Sequence, residues 1–175
     1  MNDAGKIPDT EQVADHLAIQ QVLHIHSRGL DRLDPEAIKS AYWPEGEVDY
    51  GSYKGGAHPF AELVVAALQG QYELTRHCLS NTLIQFSGTG ALAESNVTAA
   101  HLLHGAAQEM LFYGRYLDQL QQRNGQWRIL HRQVVMDWSK TVPVCDARNS
   151  EAFAALAKGA HLDVDPLYPF LKSEL

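Results

Sequence analysis

The sequence predicts an α+β fold, and three observations carry that reading. The helix-forming segments of the main body fall in the first 71 residues. From His77 onward the chain becomes a series of strand-like segments rich in branched and aromatic residues. The breaks between those segments are short turns, which suit antiparallel hairpins and leave no room for parallel crossovers.

The elements follow in order. "DTEQVADHLAIQQVLHIHSRGLD" offers Asp9 or Thr10 as an N-cap and continues as a long first helix. Its apolar residues, Val13, Leu17, Ile19, Val22, Leu23 and Ile25, spread beyond one stripe, so the helix is expected to be buried on most sides. "DPEAIKSAYW" reads as a short second helix with Pro35 in its first turn and Pro44 beyond its end. "GEVDYGSY" alternates Val48 and Tyr50 against Glu47 and Asp49, a strand closed by a "KGG" turn. "HPFAELVVAALQGQ" is the third helix. Four strands follow, "HCLSNTLIQF", "ALAESNVTAAHLLH", "EMLFYGRYLDQLQQ" and "WRILHRQVVMDW", separated by "SGTG", "HGAAQ" and "RNG". Asn124-Gly125 is the clearest hairpin signal. Beyond Trp138, "SEAFAALAKG" predicts one short helix in a tail.

Size and charge exclude several classes of function. A chain of 175 residues suits one domain with tails. With 14 Lys+Arg against 21 Asp+Glu, the formal charge of −7 disfavours a nucleic-acid partner. No stretch approaches the roughly 20 apolar residues of a membrane span, and the start lacks the regions of a secretory signal, so a cytoplasmic protein is expected. Cys78 and Cys145 are read as reduced, packed thiols rather than a disulfide or zinc pair.

Several polar residues demand partners. His24, Ser27 and Asp31 share one side of the first helix. If that side is buried, Asp31 must pair or face a cavity; otherwise it is the solvated end of the helix. On the alternating pattern of "ALAESNVTAAHLLH", Ala93, Ser95, Val97, Ala99 and His101 form one small-residue face, which turns His101 toward an interior. There it is either a hydrogen-bonded core residue or a site residue. His77 of "TRHCLSN" is open to reading as a base, a ligand or a strand residue. Metal binding is disfavoured, because His24 and His26, and likewise His101 and His104, point to different sides, and no HExxH is present.

The first helix "AIQQVLHIHSRGLDRLD", the strand "VDYGSYKG", the "RHCLSN" start of the sheet and the ending "GRYLDQLQQRNGQWRILHRQVVMDW" together resemble the SnoaL-like branch of the nuclear-transport-factor-two-like superfamily. The likeness spans about residues 12 to 138, and its dehydratases and dehydrohalogenases are the nearest types. The resemblance implies a cystatin-like cone, an α+β barrel in which a curved antiparallel sheet wraps the long N-terminal helix around an apolar pocket. It divides the chain into a cone domain, 1–140, and a C-terminal extension, 141–175, packed on the body or on a neighbouring subunit. It also implies that Asp31 holds His77 as a base, with Tyr50 and His101 matching further site positions of scytalone dehydratase. Leu30 stands where that enzyme has a second tyrosine. The arginine of the dehydrochlorinase falls near Gln119, and Arg115 or Arg132 are its possible replacements.

The function so implied is a cofactor-independent lyase of dehydratase type, acting on a hydrophobic cyclic or aromatic small molecule. The alternatives are an isomerase or cyclase using the same dyad, and a non-catalytic ligand-binding or dioxygenase small-subunit-like protein. The family further suggests a homodimer or homotrimer.

Overall fold

The computed structural model describes residue 5 and residues 7–173. The outermost positions of the two units expected from the sequence, 1–4, 6, 174 and 175, lie outside the described residues.

Helix α1 spans Thr10–Arg32, and Asp9 is its N-cap. The Asp9 carboxylate accepts the Gln12 amide at 2.8 Å while the Gln12 side chain accepts the Asp9 amide, a reciprocal cap that satisfies two otherwise unpaired donors. The helix stops at Leu33, which adopts a left-handed φ of 53°. That conformation is unfavourable for a leucine, and it is held here because the Leu33 side chain is buried in the core. Helix α2, Pro35–Ser40, starts at once, with Asp34 as its cap.

The second helix is shorter than the sequence predicts, because Tyr42 and Trp43 belong to strand β1, Tyr42–Asp49. Long-range partners override helix propensity at this point: Tyr42 is fully buried and the Trp43 indole donates to the Gln121 carbonyl. Pro44, expected beyond a helix, lies inside β1 where its register against β6 shifts, a place where a missing N–H is tolerated. "KGG", expected to be a turn, is instead the short strand β2, Lys54–Gly56. The turn is Tyr50–Tyr53, closed by the Tyr50 amide on the Tyr53 carbonyl.

Helix α3 covers Ala57–Gln71. Four long strands follow: β3 Tyr72–Ser87, β4 Gly90–Leu103, β5 Gln108–Arg123 and β6 Gln126–Pro143. Asn124 and Gly125, with φ of 51° and 75°, make the expected tight turn between β5 and β6.

The six strands form one sheet in the order β2-β1-β6-β5-β4-β3. All neighbours run antiparallel except β1 and β6, which are parallel, with Val48 opposite Arg132. The expectation of a purely antiparallel sheet fails there, since β1 returns to the sheet through the whole intervening chain rather than through a hairpin. Register shifts on β1, β3, β5 and β6 mark bulges that bend the long strands. The resulting sheet is curved and unclosed, and α1 lies against it, touching β3 and β6.

Only one side of α1 is buried in this chain. Ile19, Leu23, His26, Ser27 and Leu30 face the sheet, whereas Val13 and Leu17 are exposed, so the expected burial on most sides is not met. The core continues through Ile38, Tyr42, Phe60 and Ile129. It also encloses a charged group. The Arg132 guanidinium is fully buried and donates to both Asp118 oxygens at 2.6 and 2.8 Å and to His26 Nδ1 at 2.7 Å. An arginine only donates, so His26 is neutral and carries its proton on Nε2. The guanidinium also lies 4.1 Å over the Tyr116 ring.

In the tail the expected helix at 150–159 is only a single 3-10 turn, Glu151–Phe153, while helix α4 forms later, at Leu167–Leu171. Cys78 and Cys145 are exposed thiols rather than packed ones, Cys78 because it faces outward on β3.

Removing one partner of the buried ion pair strands the other charge. Asp118→Asn is therefore expected to destabilise the protein by about 3–5 kcal/mol, measured by urea unfolding.

Candidate active site

The curl of the sheet leaves a cavity of about 550 Å³ between its inner face and α3. Its walls are mainly apolar and aromatic, with Tyr53, Phe60, Val64, Leu68, Phe112 and Tyr116 among them. That volume suits a small organic ligand. All three of His77, His101 and Tyr50 reach this cavity.

Asp31 sits in the last turn of α1 and His77 on β3. His77 Nδ1 lies 2.8 Å from Asp31 Oδ1, and the His77 backbone amide donates to both carboxylate oxygens, at 2.8 and 3.1 Å. A carboxylate accepts only, so Nδ1 carries a proton, and in the neutral ring the lone pair is on Nε2. The two side chains are 7% and 12% exposed, which rules out the reading of Asp31 as a solvated helix end.

His101 comes to the same place from β4. The alternation of that strand buries Ala93, Ser95, Val97, Ala99 and His101 and leaves Leu92, Asn96 and Thr98 outside, as the sequence pattern predicts. The His101 ring meets His77 edge-on, with centroids 5.4 Å apart, and stacks on Tyr72 at 4.5 Å. Its Nδ1 lies 2.7 Å from Thr75 Oγ1. Burial, helped by the neighbouring His77, lowers its pKa to about 4, so the ring is neutral near pH 7. In the tautomer in which the Thr75 hydroxyl donates to Nδ1, the His101 proton sits on Nε2 as a donor.

Tyr50 lies in the turn after β1, its ring 4.2 Å from Phe60. Its hydroxyl is buried and makes no hydrogen bond of good geometry among the described residues, with Arg132 and Tyr116 the nearest polar groups that act on it. Burial raises its pKa, and the nearby Arg132 charge opposes that rise. An unpartnered buried hydroxyl in a cavity wall is suited to a ligand oxygen.

The other candidates lie elsewhere. Leu30 lines the cavity and supplies no hydroxyl. Gln119 is exposed, and Arg115 pairs with Glu94 away from the cavity. Arg132 is engaged by Asp118 and His26 and is absent from the cavity lining. His24 is exposed and Ser27 buried with an unpaired hydroxyl. Sequence reasoning missed Thr75, Tyr72 and Tyr116. The register that sets Thr75 opposite His101 comes from strand pairing, and no local motif announces it. Among the described residues no group of three or more His, Cys, Asp or Glu side chains converges in a metal-binding arrangement, and no helix is long and apolar enough to cross a membrane.

A curved sheet around one helix, with an acid–histidine pair opening into an apolar hollow, defines a cone-shaped α+β protein with a small-molecule pocket. The chain belongs to the SnoaL-like domain family, whose model matches residues 11–133. Its solved structural neighbours include a scytalone dehydratase-like protein from Novosphingobium aromaticivorans, at 23% identity and a TM-score of 0.68, covering 77% of this chain and 91% of that one. A type 2 hexachlorocyclohexane dehydrochlorinase matches at 23% identity and TM-score 0.66, covering 79% and 94%. A protein with a cystatin-like fold from Nostoc punctiforme matches at 24% and 0.59, covering 71% and 92%. At these identities the likeness speaks for the cystatin-like α+β fold. No curated protein sequence matches the chain.

Two outcomes check this geometry. Thr75→Val is expected to shift the His101 ring nitrogens toward a mixed tautomer in 15N NMR, while Thr75→Ser retains the native pattern. An imidazole depressed to about 4 from 6.5 leaves stability intact above pH 6.5 and withdraws it as the pH falls toward 4. The contribution lost from His101 is up to about 3 kcal/mol. Burial and Arg132 push His26 in the same direction. Thermal unfolding across that range is expected to flatten in His101→Gln.

Proposed function

We propose that this protein is a cofactor-independent lyase that eliminates water, or a similar small group, from a hydrophobic cyclic or aromatic molecule. The observation that carries the reading is the Asp31–His77 pair at the cavity wall, with the Nδ1 proton committed to the carboxylate at 2.8 Å. His77 Nε2 then removes an acidified C–H proton beside a carbonyl or on an activated ring carbon. The C–H electron pair becomes the new double bond, and the β-oxygen departs as water after taking a proton back from the imidazolium. Neutral His101, donating from Nε2, and the Tyr50 hydroxyl hydrogen-bond the developing enolate or the leaving oxygen. Fixed donors in a dry site are worth most where charge develops.

The apolar, aromatic walls support a ring substrate with few polar groups. Scytalone dehydratase and hexachlorocyclohexane dehydrochlorinase, the names borne by two structural neighbours, denote eliminations, which agrees with this chemistry. The same dyad with no leaving group in reach would shuttle a proton and isomerise. Product mass separates the two reactions, since elimination loses water or acid and isomerisation loses nothing.

The test is a screen of hydroxylated cyclic ketones for loss of water, followed by two variants. His77→Gln and Asp31→Asn are each expected to lower kcat by about 10²–10⁴-fold with the circular dichroism spectrum unchanged. Near-normal turnover in either variant removes the dyad from the mechanism.

A further inference from the structure

The family model ends at residue 133, yet the chain continues and comes back to the dyad. After β6, the Val144 amide donates to the Ala107 carbonyl, and Arg148 then ion-pairs with Glu73. Glu73 is on β3, four residues before His77. The chain next crosses to the end of α1. There the Asp165 carboxylate accepts Arg32 at 2.9 Å, together with the amides of Ala160 at 2.8 Å and Leu167 at 2.9 Å. Arg32 also donates to the Ala160 carbonyl at 3.1 Å. Tyr168 donates its hydroxyl to Asp34 Oδ2 at 2.7 Å, while the other oxygen of Asp34 caps α2.

The tail thus grips both elements that carry the dyad. On one side it holds Arg32, which follows Asp31, and Asp34, the two flanking the left-handed Leu33; on the other it holds Glu73. The grip at α1 is built rather than incidental. Asp165 is 6% exposed, the one buried acid among the described residues of the tail, and both of its oxygens are engaged. Burial raises its pKa, but the Ala160 and Leu167 amides and the Arg32 guanidinium outweigh that and keep it ionised. Asp31, by contrast, makes three contacts to two N–H groups of one residue across the gap between helix and sheet. That arrangement tolerates little relative movement, because each of the three contacts lengthens when the last turn of α1 shifts.

We infer that residues 144–171 form a strap that fixes the last turn of α1 against β3, with Asp165 and Tyr168 as positioning residues that set the Asp31–His77 hydrogen bond. This deepens the reading of the dyad given above and does not depend on which molecule is turned over.

The test reads the dyad directly in the full-length protein. The His77 Nδ1 proton, held by a carboxylate, gives a far-downfield proton NMR resonance that is assigned by its loss in His77→Gln. In Asp165→Asn/Tyr168→Phe that resonance is expected to move upfield and to exchange faster with solvent. The control Lys158→Ala, which alters only contacts within the tail, leaves it in place. On any substrate found, kcat of the double variant falls by about 10- to 100-fold with KM nearly unchanged, as expected for a misplaced rather than a missing base. An unchanged resonance and exchange rate in the double variant overturn the strap. Should that variant not fold, Tyr168→Phe alone gives the same readout. Absence of any elimination by the wild type would defeat the lyase proposal, while the resonance would still decide the strap.

Discussion

A helix lies against a curled sheet at least cost when the polar groups on its inner side find partners there. Along α1 those groups are His26, Ser27 and Asp31, and two of the three find a side-chain partner, while the Ser27 hydroxyl has none among the described residues. His26 meets Arg132, itself neutralised by Asp118, and Asp31 meets His77. Unmatched, each would cost on the order of a few kcal/mol to bury. The two pairings also differ in kind. Arg132 is closed off with both carboxylate oxygens and an imidazole around it, and so belongs to the foundation of the fold. His77 retains one free nitrogen at the edge of a cavity, and so can do chemistry.

The same division runs through the cavity. Its walls are apolar, so ligand polarity must be met at few points: His77, His101 and Tyr50. Thr75 and Tyr72 hold the His101 ring from behind and from one face, and Phe60 packs on Tyr50. Low polarity around these groups keeps His101 neutral and the Tyr50 hydroxyl protonated, the forms in which both donate. On the proposed reading the pocket combines one base with two donors, each set in orientation by a packed neighbour.

Much of this was legible before any coordinates. The cap at Asp9, the inward face of β4 and the Asn124-Gly125 turn are local, since each follows from residues a few positions apart. The misread segments are those governed by distant partners. Tyr42 and Trp43 look helical until Ile129 and Gln121 draw them into the sheet. "SEAFAALAKG" has the composition of a helix, but the tail is organised by contacts to Arg32, Asp34 and Glu73 instead. For the site, spacing singled out Asp31 and His101 as inward candidates, while the pairing of Asp31 with His77 and the roles of Tyr50 and His101 came through resemblance to a family.

Sequence alone determined the order and type of the long elements and the inward face of β4, because these depend on periodicity and on caps that act within a few residues. On α1 the periodicity grouped His24, Ser27 and Asp31 on one side without deciding whether that side is buried, and His24 is exposed. Which polar groups would meet, and what the tail would hold, were decided only by tertiary structure. Asp31 and His77 are 46 residues apart, and Arg32 and Asp165 are 133 apart. Nothing in a local window of chain encodes pairings at that distance, which arise when a bent sheet brings strand and helix within reach of a hydrogen bond.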